Sequence, residues 1–170
     1  MSRKQKVSRR DVVVGAGTMM VAGAVTDALA QTGERSPAMA NTRFINPPGM
    51  SKPPGYTHVV EVTGPSRIVY LAGQLGLDAN GKMAGDFRGQ VEQAFENLKT
   101  ALGAVGAKVE HIVKVNNYIV DIGKNIPIYR EVRDRHLNMA APPASTTVGV
   151  PQLAREGALF EVEAVVMLPG

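Results

Sequence analysis

The segment Leu159-Phe160-Glu161-Val162-Glu163-Ala164-Val165-Val166-Met167-Leu168 decides the fold, because it alternates in the way that a half-buried β-strand does. Successive side chains of a strand point to opposite faces of its sheet, so Glu161 and Glu163 share one face. The residues on the other, apolar face are Phe160, Val162, Ala164 and Val166. We expect this apolar face to carry helices.

The clearest helix precedes that strand and runs from Phe87 to about Val105. Apolar residues recur in it at spacings of three and four, which places them on one helix face. They are Phe87, Val91, Ala94, Phe95, Leu98, Leu102 and Val105. The polar residues expected to lie mostly off that face are Gln90, Glu92, Glu96, Lys99 and Thr100.

Two valine-rich segments before the helix are predicted to form strands. They cover His58–Thr63 and Arg67–Gln74, with the turn-forming residues Gly64-Pro65-Ser66 between them. We therefore expect the two strands to pair as a hairpin. Asn80-Gly81 predicts a further turn.

Three more elements follow the first helix, and they set the order of the fold. Ile112–Ile122 is rich in β-forming residues, a second helix capped by Asn125 is expected to reach about Asn138, and Thr146–Val150 is a further strand. The predicted order is β-β-α-β-α-β-β. This order indicates an α+β fold in which two helices cover one face of the sheet.

The second face of the sheet is expected to be covered as well. The third strand presents Val113, Val115 and Ile119 on one side and Tyr118 and Val120 on the other. A sheet that is apolar on both sides is rarely left bare in water, so we expect a homo-oligomer.

The first thirty residues read as an export signal. Ser8-Arg9-Arg10-Asp11-Val12-Val13-Val14 resembles the twin-arginine motif, and Ala28-Leu29-Ala30 supplies the small residues of a cleavage site. We expect cleavage after Ala30 and a periplasmic or secreted protein with no membrane contact. The alternative is an uncleaved anchor, which Asp27 and three glycines in the apolar stretch disfavour.

The remaining residues divide into a Pro-rich, irregular lead-in over residues 31–55 and a domain over residues 56–170. Residues 31–170 hold 14 basic and 13 acidic side chains, so the net charge of +4 belongs mostly to the leader. This balance argues against a nucleic-acid partner. The chain has no cysteine, and its three histidines lack the spacing of a zinc site, so no metal site is expected.

From Tyr56 to Met167 the sequence resembles the Rid family (RidA/YjgF), the reactive-intermediate or imine deaminases. The matching segments are Pro54-Gly55-Tyr56, Leu71-Ala72-Gly73-Gln74, Gln90 to Leu98, Val113-Lys114-Val115, Pro143 to Val150 and Phe160 to Ala164. The resemblance implies a chorismate-mutase-like fold, a homotrimer whose sheets form a central barrel, and small-molecule clefts between subunits. It also implies hydrolysis of imines or enamines without a metal or cofactor.

The same resemblance names the candidate site residues. Glu161 matches the glutamate that positions or activates water, and Tyr56 matches a tyrosine near the cleft. Gly73, Gln74, Tyr129 and Ser145 are the other candidates for binding the substrate. Tyr129 stands where the family usually has a small polar residue, although core packing is the commoner fate of a tyrosine at helical spacing.

Ser145 is the main departure from the family pattern. The family has a carboxylate-binding arginine directly after its Pro-Ala pair, and Ser145 follows Pro143-Ala144 here. A single hydroxyl cannot supply the charge or the two-pronged donor of a guanidinium. Arg130, Arg133 and Arg135 are expected to form a solvated helix face, but one of them could replace the missing arginine.

Two functions therefore remain open at the level of sequence. The first is hydrolysis of a small imine or enamine, which the resemblance and Glu161 favour. The second is a non-catalytic trimer in the cell envelope that binds a small metabolite, which the absence of the family arginine favours.

Overall fold

A computed structural model of the protein describes residues 40–170. The predicted export signal in residues 1–30, and the lead-in as far as residue 39, lie outside the described residues. Among the described residues, no helix is long and apolar enough to span a membrane.

Eight regular elements make up the described part of the chain. They are β1 (Thr42–Ile45), β2 (Val59–Val62), β3 (Ser66–Leu75), α1 (Phe87–Ala104), β4 (Ile112–Val120), α2 (Ile122–His136), β5 (Ala144–Val150) and β6 (Phe160–Pro169). A 3₁₀ turn, Val109–His111, leads into β4. The α+β class is confirmed, with one strand more than the sequence predicted.

The main sheet has the strand order β3-β6-β4-β5, so the last strand lies inside the sheet. β6 runs antiparallel to both β3 and β4, and β4 runs parallel to β5. The parallel pair requires a crossover, and α2 supplies it. β6 and β4 are the two central strands of this sheet, and β3 and β5 are its edges.

The predicted hairpin between the first two strands is wrong. β2 pairs instead with β1 in a separate two-stranded sheet, with Thr42 opposite Val62. β3 pairs with β6, where Ser66 lies opposite Pro169. The expectation that residues 31–55 lack regular structure is also wrong for residues 42–45.

The core lies between the two helices and the sheet. The four apolar residues of β6 named above are between 0% and 4% exposed, as their alternation predicts. Helix α1 contributes its predicted apolar face, but Gln90 is also buried, which the sequence analysis did not expect. Gln90 donates to the carbonyls of Ala84 and Gly157 and accepts from the Leu159 amide, so its polar groups are paired inside the core.

The start of α2 differs from its prediction. The helix begins after Asp121, which adopts a left-handed conformation with φ of 52°. Asn125 lies inside the helix, is buried, and donates to the carbonyl of Val120 at 2.8 Å. Asn125 therefore fastens the helix to the end of β4 and is not its cap.

A bulge between Ile112 and Lys114 corrects the predicted faces of β4. Ile112 is 1% exposed and takes the core position that the sequence analysis gave to Val113. Val115 and Ile119 keep their predicted side and are fully buried. The extra residue of a bulge shifts the side-chain alternation by one, which periodicity alone does not reveal.

Among residues 40–170, no element covers the sheet face opposite the helices. Its apolar residues include Ile68, Tyr70 and Val148, which are 52%, 77% and 43% exposed. Val69 and Leu71, which alternate with Ile68 and Tyr70 along β3, pack against the core. The exposed face is therefore the side of the sheet that faces away from the helices.

Candidate functional site

The predicted site residues lie at two separate places on the chain. Gly73, Gln74 and Glu161 are brought together at the junction of β3 and β6, here called the β3–β6 group. The other three residues line a small cavity between α2, β5 and the Pro54–Tyr56 turn, here called the α2–β5 pocket. Among residues 40–170, the cavity beside Gly73 and Gln74 and the α2–β5 pocket have no lining residue in common.

In the β3–β6 group the carboxylate of Glu161 lies directly over Gly73. A Cβ at Gly73 would overlap Oε1 of Glu161, so only glycine leaves room for this carboxylate. β3 is irregular here, with a register shift between Leu71 and Gln74, and Glu161 lies opposite Leu75. A bulge beside a side chain commonly re-aims that side chain, as it does here.

The two glutamates of β6 differ in their partners. Glu163 accepts hydrogen bonds from Asn116 at 2.8 Å and from the Tyr118 hydroxyl at 3.1 Å. The bond to Glu163 raises the pKa of Tyr118. No side chain in the described part of the chain donates to Glu161, although the two carboxylates share a face. Glu161 is thus the glutamate left available to a ligand or to water.

A groove of about 710 Å³ opens beside Gly73 and Gln74. Asn97 of α1 forms part of its wall and donates to the carbonyls of Leu75 and Leu77 at 2.9 and 2.8 Å. The side chain of Gln74 turns back to the carbonyl of Ala72. The bonds from Asn97 hold the end of β3 against α1.

The α2–β5 pocket encloses about 220 Å³. Its lining residues are Pro54, Tyr56, Ile126, Tyr129, Arg130, Arg133, Ser145 and Thr147. Two of these eight residues are arginines, and four carry a hydroxyl that can donate a hydrogen bond. None of the eight is acidic. The pocket therefore offers hydrogen-bond donors and positive charge.

Tyr129 contributes both to the core and to this pocket. The residue is 1% exposed, and its ring packs 5.6 Å from the ring of Phe160. Within residues 40–170 no atom meets both the distance and the angle of a hydrogen bond to its hydroxyl, which is rare for a buried polar group, although Arg133, Thr147 and Ser145 lie close to it. Burial raises the pKa of Tyr129, and the nearby Arg133, Thr147 and Ser145 act against this rise.

Arg133 was predicted to lie on a solvated helix face, and it is buried instead. Arg130 and Arg135 are exposed, as a solvated helix face requires, but Arg133 is only 6% exposed. Its Nε and Nη2 atoms donate to Asp134 at 2.8 and 2.6 Å, and its guanidinium lies 5.6 Å from the centre of the Tyr129 ring. The i to i+4 spacing from Tyr129 was a sequence signal that both residues share one helix face.

Asn117 was not predicted as a site residue. It is fully buried in β4, and its Nδ2 donates to the hydroxyls of Ser145 and Thr147 at 3.3 and 3.4 Å and to the carbonyl of Thr146 at 3.2 Å. No atom of residues 40–170 donates a hydrogen bond to its Oδ1. The signal was a polar residue between Val115 and Ile119 at a core position of the strand.

Within residues 40–170, no group of three or more His, Asp or Glu residues is arranged to hold a metal ion. The buried His136 instead stacks on Phe95 and contacts Glu92 of α1 at 2.6 Å. This histidine joins the two helices away from the predicted site residues.

Comparison with known proteins gives consistent relatives. Residues 50–168 match the protein family described as Endoribonuclease L-PSP. A 2-iminobutanoate/2-iminopropanoate deaminase of Dermatophagoides farinae is 34% identical over 133 residues, which cover 76% of this chain and 99% of the relative. A RutC family protein of Aquifex aeolicus is 37% identical over 65% of this chain and 88% of its own length.

Solved structures agree with these sequence relatives. YyfB of Yersinia pestis, a Rid-family protein of unknown function, superposes with a TM-score of 0.70 at 33% identity. That match covers 75% of this chain and 99% of YyfB. RidA of an Antarctic Psychrobacter superposes with a TM-score of 0.57 at 31% identity, covering 66% of this chain and 88% of RidA.

Proposed function

The chain belongs to the L-PSP endoribonuclease family, in which the Rid proteins fall, and we propose that it hydrolyses small imines or enamines in a cleft closed by neighbouring copies. The observation that carries the proposal is the free carboxylate of Glu161 over Gly73. A general base needs an unengaged carboxylate at a place that a substrate can reach. The name of the Dermatophagoides relative supplies the reaction class.

The chemistry asks little of the protein. Water adds to the carbon of the C=N bond while Glu161 accepts one proton from that water and passes it to the imine nitrogen, which gives a carbinolamine. Glu161 then accepts the proton of the carbinolamine hydroxyl as the C=O bond forms and the C–N bond breaks, and it delivers that proton to the nitrogen, which leaves as ammonia. No oxidant, metal or cofactor enters this balance, and a positioned carboxylate contributes roughly 10²–10⁴-fold to such a proton transfer.

A homotrimer is part of the proposal. The uncovered sheet face with Ile68 and Tyr70 supports assembly, because exposed apolar patches of this kind are commonly interfaces. Gly73 and Gln74 of the β3–β6 group line one cavity, and the α2–β5 pocket is another. A second copy of the chain offers a way to bring residues of both places to one ligand. Sedimentation at several protein concentrations measures this assembly.

A coupled deamination assay tests the function. A pyridoxal-phosphate enzyme generates 2-iminobutanoate in place, and the rate of ammonia release is compared with and without the protein. Glu161→Gln keeps the size of the side chain and removes the base, and Glu163→Gln is the matched control on the same strand face. We expect the first variant to lose the acceleration and the second to keep most of it; equal rates for wild type and Glu161→Gln would end the proposal.

The second candidate is a non-catalytic trimer that binds a small metabolite. Ser145 favours it, because the position that the family gives to a carboxylate-binding arginine holds a neutral side chain here. A thermal-shift screen against small metabolites measures such binding, since a ligand held only by the folded state raises its stability. Stabilisation without ammonia release would favour this function over hydrolysis.

Nucleic-acid cleavage, which the family description mentions, is not proposed for this chain. Residues 31–170 have a net charge of +1 from 14 basic and 13 acidic side chains. Binding a phosphate backbone depends on an excess of basic side chains, and this part of the sequence lacks one.

We also propose that the protein acts outside the cytoplasm, after export by the twin-arginine route. The motif around Arg9 and Arg10 and the Ala28-Leu29-Ala30 site support this location. Replacing Arg9 and Arg10 by lysines should retain the protein in the cytoplasm at its full mass. Wild-type protein found only in the cytoplasm and uncleaved would contradict the proposal.

A further inference from the structure

We propose that the α2–β5 pocket is an anion site in which Arg133 and the Tyr129 hydroxyl bind the carboxylate of the small molecule. The inference deepens the proposed function, on which it rests for the existence of a ligand, and it assigns to α2 the charge that Ser145 does not provide. It concerns binding and adds no chemical step.

The composition of the pocket wall gives the first argument. Arg133 and Arg130 bring positive charge, and none of the described lining residues is acidic; Asp134, which does not line the cavity, pairs with Arg133, and Arg130 is exposed. Donors without acceptor charge favour a negatively charged ligand. The cavity of about 220 Å³ has room for a small metabolite and not for a nucleotide or a peptide.

The hydroxyl of Tyr129 gives the second, independent argument. It is a buried polar group for which residues 40–170 supply no partner with hydrogen-bond geometry, in a residue that is 1% exposed. Leaving such a group unpaired destabilises a folded protein. A ligand oxygen that accepts a hydrogen bond from this hydroxyl would remove that destabilisation. The protein thus holds a donor ready before a ligand arrives.

Arg133 is also fixed in position before a ligand binds. Asp134 engages Nε and Nη2, and the Tyr129 ring lies beside the guanidinium. Among the described residues nothing accepts a hydrogen bond from Nη1, so one end of the guanidinium stays available. Because the side chain is already ordered, binding an anion costs little further conformational freedom.

Ser145 and Thr147 complete the donor set. Asn117 donates to both of their hydroxyl oxygens, at 3.3 and 3.4 Å. A hydroxyl that accepts one bond still has its own proton to give. Ser145 therefore acts as an auxiliary donor beside Arg133, and the two together replace the single side chain that the family places at position 145.

Ligand-observed NMR on the purified full-length protein tests the site with butyrate as the probe. Butyramide is the neutral probe of the same shape, and inorganic phosphate is the competing anion. We expect butyrate to bind at least tenfold more tightly than butyramide, because hydrogen bonds to a charged group are the stronger ones. Butyramide or phosphate binding as tightly as butyrate would overturn the carboxylate assignment.

Two variants locate the binding in this pocket. Tyr129→Phe removes only the unpaired hydroxyl and is expected to fold, so it remains informative if Arg133→Gln does not. Each should lower butyrate affinity about tenfold or more, in line with the loss of one charge-assisted hydrogen bond. Arg135→Gln removes the same charge from the exposed face of α2 and should bind butyrate like wild type.

The outcomes separate this inference from the proposed function. If butyrate binding depends on Tyr129 and the deamination assay shows no ammonia release, the anion site is supported and the hydrolase function is contradicted. If ammonia release depends on Glu161 and butyrate affinity is unchanged in Tyr129→Phe and Arg133→Gln, the hydrolase function is supported and the anion site is contradicted.

Discussion

The guanidinium of Arg133 occupies the space that a Cβ at Gly55 would fill. A side chain at Gly55 would overlap Nη2 of Arg133, and Gly55 also has a φ of +85°. The same Nη2 approaches the carbonyl of Pro54 at 3.5 Å. The turn before Tyr56 and helix α2 are thus fitted to one another through a buried charge.

Gly55→Ala should therefore destabilise the protein more than its backbone conformation alone explains. Gly64→Ala is the matched control, since Gly64 has a φ of +78° and open space around its Cα. A left-handed conformation costs an L-residue about 1–2 kcal/mol, which we expect for the control. Urea unfolding should give a larger loss for Gly55→Ala, accompanied by weaker butyrate binding; equal losses would mean that Arg133 yields freely.

Gly73→Ala should separate activity from stability. The overlap is with the far end of the Glu161 side chain, which can rotate away, and Gly73 has no positive φ. We expect unfolding free energy to fall by no more than about 1 kcal/mol, while imine hydrolysis drops as it does in Glu161→Gln.

Gly103→Ala is the control for that experiment. Gly103 lies in α1 with no atom near the position of a new Cβ, so alanine there should stabilise the helix by about 0.5–1 kcal/mol and leave activity unchanged. A fully active Gly73→Ala enzyme would show that the carboxylate over Gly73 has no part in the reaction.

The elements that the sequence predicted well are those whose signal is local. The three-and-four spacing of α1 and the alternation of β6 give the helix from Phe87 and the strand from Phe160 within a residue or two. Pairing is not local. Ser66 of β3 lies opposite Pro169, and nothing in the turn at Gly64-Pro65 indicates that its partner is so distant.

The site could be predicted only where the family resemblance pointed to a residue. The family resemblance singled out Glu161, and the structure leaves that carboxylate free over Gly73. The burial of Arg133 was not predicted, because its neighbours in sequence are also charged and a run of charges on a helix is usually solvated. Asn117 was passed over because it lies between strong β-formers, although its strand parity marked it as buried.

Tyr70→Glu should disrupt the assembly. Tyr70 is 77% exposed on the uncovered face of the main sheet, so a charge there stays hydrated in the single chain and becomes costly in an interface. Sedimentation should show a smaller species than wild type. Met50→Glu, at a 54% exposed residue outside both sheets, should assemble normally. An intact oligomer of Tyr70→Glu would place the interface elsewhere.

The raised pKa of Tyr129 predicts a specific loss of stability at alkaline pH. Burial keeps the phenol neutral in the folded protein to a higher pH than in the unfolded chain, where a tyrosine ionises near its ordinary value of 10.0. Above that value the unfolded state releases a proton that the folded state retains. The contribution is therefore complete below pH 10 and is lost as the pH rises through the folded-state pKa.

Tyr129→Phe should consequently lose less stability than wild type between pH 8 and pH 10.5. Urea unfolding at both values gives the difference. Tyr118→Phe is the comparison, because Tyr118 is only half-buried and its pKa is raised mainly by its hydrogen bond to Glu163. Since the Tyr129 hydroxyl keeps its proton throughout the neutral range, butyrate affinity should stay constant from pH 7 to pH 9. A decline of stability identical in wild type and Tyr129→Phe would mean that the hydroxyl is not buried in solution.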